Sequence, residues 1–478
     1  MSIARHKSPE TKEKATSGRN SQADLIKALA RNVVETSYDR LPGEVVKSAK
    51  LGFLDTVGVL VAGSKSAGCE AVIELVKEWG GAGESTVLIH GGKVPAQNAA
   101  MVNSIMARAL DFDYVALKGM HLGASSIPTA LAIAEKRGGV SGRELLAAIV
   151  AGEDLAMRIH MATSYAGFDP TGVSMVFGTA AIAGKLLGLT EEQMLDALGI
   201  AFNQAGGSFQ SNIDGSLAVR VIQGLISKNG IEAALLARKG ITGVSHVLQG
   251  TWGFFRLFSK YEPDLDSVVA GLGQEYRVDR VWFKRFPSCG ATLSATDATL
   301  KLVEEHDIQP EQVREVVVKM YGAATYNLVG KPFEIRRNPE VDGQFSISYT
   351  IANAIVRRDS RIEHFFASAV KDERIVELAS RVHATIDGEV KEMGGMHGSV
   401  IVEVLLEDGS KHRKFVKFPK GFPDDPLNEE ELRQKFADCM AAAPVTLPDG
   451  AQDKIVSLVD RLEEVDNIVD IVPLLVIR

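Results

Sequence analysis

Two carboxylates and an imidazole lie close together in this chain. The run Ala107-Arg108-Ala109-Leu110-Asp111-Phe112-Asp113 is followed by His121, just before Leu122-Gly123-Ala124-Ser125-Ser126. An apolar helix runs into the carboxylates, a short irregular segment follows, and small residues after the imidazole open a new helix. Carboxylate and imidazole on one loop at a helix junction are the groups that take a proton from carbon or give one to a leaving group. His121 is expected as the acid or base, because an imidazole titrates near neutrality. Asp111 is expected to orient it, to stabilise its charge, or to bind a substrate hydroxyl. The plainer alternatives are a core histidine and a solvated carboxylate at a helix end.

A long helical run must position these groups. From Ser21 to about Ser259 apolar residues recur at the helical period, with Leu25, Leu29 and Val33 on one face. Residues 44–62 are apolar nearly all round and read as a buried helix. Helices are expected over 95–110, with Pro95 in the first turn, and over 129–136, 141–161, 178–187 and 191–202. Thr190-Glu-Glu-Gln is a capping segment for the last of these. Residues 224–239 read as a helix containing Gly230, which costs ~1 kcal/mol against alanine and so points to close helix packing. The composition changes after Asp264. Residues 314–321, 399–406 and 413–418 read as strands, the last two joined at Asp408-Gly409, a hairpin signal. Helices are expected between them at 292–305, 346–357 and 372–380. Residues 419–427 read as a linker, and 429–442 and 452–462 as helices again.

The expected fold class is therefore α+β, a large helical domain interrupted by a smaller α/β domain. The boundaries read as a disordered tail over 1–21, a helical domain over 22–274, an α/β domain over 275–420 and a returning C-terminal segment over 421–478. A chain of 478 residues is too long for one ordinary core.

Several classes of function are disfavoured. A net charge of −8 argues against a nucleic-acid partner, though an anionic substrate needs only a few cations in one pocket. No apolar run approaches the ~20 residues of a membrane-spanning helix, and the polar stretch Met1–Asn20 is no secretory signal. The cysteines, Cys69, Cys289 and Cys439, are far apart with no CxxC, which disfavours a disulfide framework, a cysteine zinc site or an iron–sulfur cluster. Free cysteines fit a cytoplasmic location. No phosphate-binding glycine loop, no dinucleotide fingerprint after a strand, and no H-E-x-x-H or H-x-H occurs. The expectation is no metal and no cofactor.

The segment Asp111, Phe112, Asp113 and His121 resembles the LDFDD…HPS/G signature of the MmgE/PrpD family, which includes 2-methylcitrate dehydratases, cis-aconitate decarboxylases and iminodisuccinate epimerases. Tyr114 stands where that signature has a further Asp, and Leu122 where it has Pro. Trp282-Phe283-Lys284-Arg285-Phe286-Pro287-Ser288-Cys289 resembles the family's K-x-(Y/F)-P-(S/A)-(C/H) segment, Gln344-Phe-Ser-Ile-Ser-Tyr349 its KFSxxY block, and Pro419-Lys-Gly-Phe-Pro…Pro426-Leu…Lys435-Phe436 its late PKGxPxxPL…KF block. The resemblance spans about residues 22–470. It implies a helical domain closed by returning C-terminal helices, an α/β lid, a site between the two, and a homodimer.

It also implies roles. Lys284 would face the cleft, clamp a substrate carboxylate and stabilise enediolate charge. Arg285 would assist. Cys289 stands where the family has Cys or His, with a buried structural thiol as the plainer reading. Tyr349 would bind a carboxylate or deliver a proton. Asp113, Asp169, Arg220, Arg285 and Cys289 form the expected substrate-binding set around catalytic His121, Asp111, Lys284 and Tyr349. Two departures stand out. Asp169, in Phe168-Asp169-Pro170-Thr171, replaces a histidine of the family's (F/W)HP(T/P) turn. Val219 replaces a substrate-binding lysine, and Arg220, the next residue, points about 100° away around a helix. The expected activity is that of a metal-independent lyase on a small di- or tricarboxylic acid, first as (de)hydration of a 2-methylcitrate-like substrate. The alternatives are decarboxylation of a cis-aconitate-like acid, proton-transfer epimerisation, or a catalytically silent carboxylate-binding protein.

Overall fold

The computed structural model describes residues 24–477, so the tail expected over 1–21 lies outside the described residues. The fold is α+β with a large helical part, as the sequence pattern implies. The helix Gly43–Gly63 is buried along most of its length. Ala96–Arg108, Gly123–Arg137, Gly142–Met161, Val176–Leu186, Glu191–Phe202 and Ala218–Arg238 pack with it around one apolar core. Capping boxes at Ser141/Glu144 and Thr190/Gln193 fix two of the helix starts.

Helix Ala218–Arg238 lies against Ala96–Arg108 and Val176–Leu186. The approach depends on glycine: a methyl at Gly224 would strike the Met101 carbonyl, and one at Gly230 would strike Thr179 Oγ1 and the Ala180 backbone. This helix starts before the expected residue 224. The helix expected from residue 129 likewise begins at Gly123, because Pro128 is accommodated inside it instead of marking its start.

The α/β part holds a four-stranded sheet in the order Val382–Ile386, Val313–Met320, Val400–Leu406, Lys411–Val416. The first pair is parallel and the others are antiparallel. The hairpin turns at Asp408-Gly409, where Gly409 has φ 85°. Strand Val382–Ile386 was not among the expected elements: Val382, Ala384 and Ile386 alternate with His383 and Thr385, but the strand is only five residues long and lies on a mostly exposed edge of the sheet. Helices Leu293–His306 and Ile347–Arg357 pack with the sheet around a second apolar core. The C-terminal helices Glu429–Ala441 and Ala451–Asp460 return to the first core through Leu432, Phe436, Ile455 and Val459.

Candidate active site

Helix Ala96–Arg108 stops where Asp111 takes a left-handed backbone, φ 50°. That region is strained for a residue with a Cβ, and such strain concentrates at functional sites. The chain then runs out through Asp113 into a two-residue hairpin in which Val115 pairs with His121 and Ala116 with Met120. The outer edge of Val115 bonds in turn to Trp282, N–H to carbonyl in both directions at 3.0 and 2.8 Å. This ladder brings Lys284 beside Asp111, although 173 residues separate them.

The resulting group is compact and almost closed to solvent: Asp111 is 1% exposed, Asp113 0%, Lys284 1% and His121 7%. His121 Nδ1 lies 2.8 Å from Asp113 Oδ1, and its Nε2 lies 3.2 Å from Asp111 Oδ1. Both contacts are hydrogen bonds only when the ring carries both protons. Asp111 Oδ1 also forms an ion pair with Arg108 Nη1 at 2.8 Å and accepts from Lys284 Nζ at 2.7 Å, and Lys284 donates further to the carbonyls of Asp111 and Ser288. Burial alone would push the Asp111 carboxyl up, but Arg108, Lys284 and His121 together hold it far below the usual carboxylate range. Asp113 is also held low, with burial outweighed by His121 first and then by Arg108 and Lys284. Its second oxygen accepts the Ala124 N–H at 3.2 Å, in the first turn of the next helix. Asp111 Oδ2 has no protein partner.

Asp113, expected on the substrate side, is thus the carboxylate that fixes the imidazole. Asp111 faces Nε2 on the opposite side of the ring from Asp113. Arg108 had no place in the sequence reading, yet it is buried and completes the group. Its signal was available: an arginine three residues before Asp111 at the end of an apolar helix.

Other expected residues fall elsewhere. Asp169 accepts the Thr171 N–H at 2.9 Å, and Thr171 Oγ1 accepts the His121 backbone N–H at 3.0 Å. Asp169 therefore shapes the turn that supports His121, two links from the ring. Tyr349, expected to bind a carboxylate or deliver a proton, is fully buried in the second core against Phe333 and Phe365, and its hydroxyl bonds to the His364 carbonyl. Arg285 pairs with Asp297 and lines an outer groove of about 780 Å³ that also touches Phe112 and Lys435 but reaches neither Asp111 nor His121. Cys289 is buried at the edge of the group, its thiol pushed up to about 12 by burial and then by the Asp111 charge, which disfavours a thiolate role. Arg220 is buried, donates to the Ala67 carbonyl at 2.9 Å and reaches Glu340 of the α/β part at 3.5 Å. Its Nε and Nη2 have no partner. Among the described residues no group of three or more His, Cys, Asp or Glu side chains could hold a metal ion, and no helix is long and apolar enough to cross a membrane.

Family models match this chain as the MmgE/PrpD N-terminal domain over residues 27–266 and the MmgE/PrpD C-terminal domain over 286–464. The chain belongs to the MmgE/PrpD family. Similar curated members include the cis-aconitate decarboxylase of Aspergillus terreus, 27% identical with 97% of each chain covered. The human cis-aconitate decarboxylase is 25% identical over 93% of this chain and 92% of its own. A cis-aconitate decarboxylase-like protein of Aspergillus oryzae is 26% identical over 87% and 90%. These relatives support a lyase of this MmgE/PrpD family. They lend no support to 2-methylcitrate as the substrate.

Proposed function

We propose that this MmgE/PrpD protein is a lyase that decarboxylates a small unsaturated carboxylic acid of the cis-aconitate type. The observation that carries the reading is the His121 ring held between Asp113 at Nδ1 and Asp111 at Nε2, beside buried Arg108 and Lys284. With the ring doubly protonated, three cations outweigh two carboxylates by one positive charge, which suits an anionic substrate.

In decarboxylation one carbon–carbon bond breaks, carbon dioxide leaves, and the electron pair stays on the remaining carbon. That pair delocalises through the double bond toward a neighbouring carboxylate. Lys284 and Arg108 stabilise the charge, and His121 Nε2 gives the carbanion its one proton. Asp113 keeps the ring oriented throughout. Arg220, with two unpartnered nitrogens, offers a further contact for a distal carboxylate. Elimination of water needs two proton-handling groups, a base for the C–H bond and an acid for the leaving hydroxyl. Asp169 stands in place of the family's second histidine and is tied to the Thr171 backbone, so one imidazole remains. One proton donor suits decarboxylation better than dehydration of a 2-methylcitrate-like acid. Because the site is closed, substrate enters when the lid segment carrying Glu340 and Gln344 lifts from Arg220 and from the Ala109 carbonyl.

The test is proton NMR in D₂O, with chelator, on cis-aconitate and 2-methylcitrate. The expected result is loss of the cis-aconitate vinyl signal and a decarboxylated product carrying one new deuterium. His121→Gln is expected to slow this by about 100-fold or more. Full activity in that variant would remove His121 from the mechanism. Hydration or dehydration without loss of carbon dioxide would return the dehydratase reading. Carboxylates that raise the melting temperature while no signal changes would point to the silent binding protein, which the Asp169 and Val219 departures also permit.

A further inference from the structure

We propose that Lys435, in the late Pro419–Phe436 segment, is a positioning residue for the Asp111–Asp113–His121 group. Its helix, Glu429–Ala441, lies more than three hundred residues after the loop in the chain, and its ammonium is buried beneath that loop. Lys435 Nζ donates to the Phe112 carbonyl at 2.7 Å, pairs with Asp55 Oδ1 at 2.6 Å and sits 3.9 Å from the centre of the Phe112 ring. Asp55 Oδ2 in turn accepts the Tyr114 N–H at 3.1 Å. Lysine and aspartate therefore grip the peptide groups on both sides of Asp113.

The alternation Asp111-Phe112-Asp113 explains why that grip matters. Both carboxylates face the His121 ring, whereas the Phe112 ring packs the other way with Val59, Leu110, Ile362 and Cys439. Fixing the Phe112 carbonyl and ring fixes the direction in which the two flanking carboxylates leave the chain. It also holds Asp111 in its left-handed backbone, a conformation that aspartate tolerates better than most residues but that still costs energy. The same segment braces the stretch from Trp282 to Lys284 that pairs with Val115. Gly421, φ 98°, lies so close to the Phe283 carbonyl that a methyl there would collide with it, and Phe422 packs edge-on against Trp282 at 5.3 Å. One C-terminal segment thus supports both the loop carrying the carboxylates and the stretch carrying Lys284. Lys435 touches neither His121 nor Lys284, and it acts through Phe112 and Asp55.

The inference rests on the reading of His121 as proton donor, and its test separates the two. Lys435→Met keeps the side-chain length but removes the charge, leaving Asp55 buried without its cation. The double variant Asp55→Asn/Lys435→Met removes both charges, while the amide oxygen introduced at position 55 still accepts the Tyr114 N–H. The double variant is expected to regain the wild-type melting temperature, yet to keep a kcat lowered about 100-fold with KM within about threefold, the scale of a misplaced catalytic group. Hydrogen exchange of the peptide covering 109–116 is expected to be faster than in wild type at matched stability. A double variant that recovers kcat together with melting temperature would make Lys435 merely structural and overturn the proposal. Unchanged exchange over 109–116 would overturn it too, and that readout needs no substrate. Failure of the His121 reading appears elsewhere, as full activity of His121→Gln.

Discussion

Glu153 gives the sharpest quantitative prediction. It is fully buried on helix Gly142–Met161, and its Oε1 accepts hydroxyl bonds from Tyr114 and Ser126, each at 2.5 Å. Tyr114 follows Asp113 and Ser126 lies in the helix after His121, so Glu153 ties together the two flanks of the site. Burial pushes its carboxyl from 4.5 to about 7, against the opposing pull of the two hydroxyls. The folded value lies above the unfolded one. The stabilising contribution is therefore complete below pH 4.5, declines as the unfolded chain alone ionises, and is gone once pH passes about 7. At roughly 1.4 kcal/mol per pH unit, that interval amounts to about 3 kcal/mol. Glu153→Gln, which accepts the same hydroxyls through its amide oxygen, removes this titration. Urea unfolding of both proteins from pH 4.5 to 8 isolates the effect, because every other titrating group is shared. The stability of Glu153→Gln relative to wild type is expected to rise by about 3 kcal/mol across that range, mostly between pH 5 and 7. Two parallel curves would show that Glu153 ionises as easily folded as unfolded, and would refute the account of its burial.

Two further substitutions probe the ion group directly. In Asp113→Asn the side-chain oxygen accepts from only one of its two present donors, His121 Nδ1–H and the Ala124 N–H, and its NH₂ faces the other. Steady-state kinetics are expected to show kcat lower by about 100-fold or more with KM little changed, as for other histidines deprived of their orienting carboxylate. Lys284→Met leaves the Asp111 and Ser288 carbonyls without their ammonium and leaves Asp111 with only Arg108 and His121. A loss of about 3 kcal/mol in urea unfolding is expected, the scale of breaking a buried ion pair, together with loss of carboxylate inhibitor binding by calorimetry.

How far the sequence disclosed this arrangement depends on how local each interaction is. The long helices were legible because each buries a face set by its own spacing, and Asp408-Gly409 marked its hairpin. Asp111, Asp113 and His121 were legible because one loop carries all three. Which carboxylate holds Nδ1 was not, since that depends on how the Val115–His121 hairpin folds the ring back over Asp113. Tyr349 was misplaced because the sequence does not say which way helix Ile347–Arg357 turns, and here the tyrosine faces the lid's aromatic cluster. Lys435 lay beyond any spacing argument, as its partners Asp55 and Phe112 come from distant parts of the chain.

The two departures from the MmgE/PrpD pattern gain a physical meaning from the packing. Val219 belongs to the second apolar core, which also contains Cys289, Val341 and Phe345. An ammonium brought to that position would have to be buried among apolar side chains, a cost that only a charged partner could offset. The next residue turns the other way, and Arg220 carries its guanidinium into the interior, where burial disfavours its charge and the Glu340 carboxylate favours it. Its positive charge is therefore retained but supplied from the helical side, on the same flank as Arg108. The imidazole missing at residue 169 is not replaced in the same way, because Asp169 is engaged with the backbone of the turn beneath His121. A site that keeps its cations but loses its second proton carrier is altered in chemistry more than in the charge it recognises. It suits the decarboxylation proposed above, in which bond cleavage releases a carbanion and one proton completes the reaction.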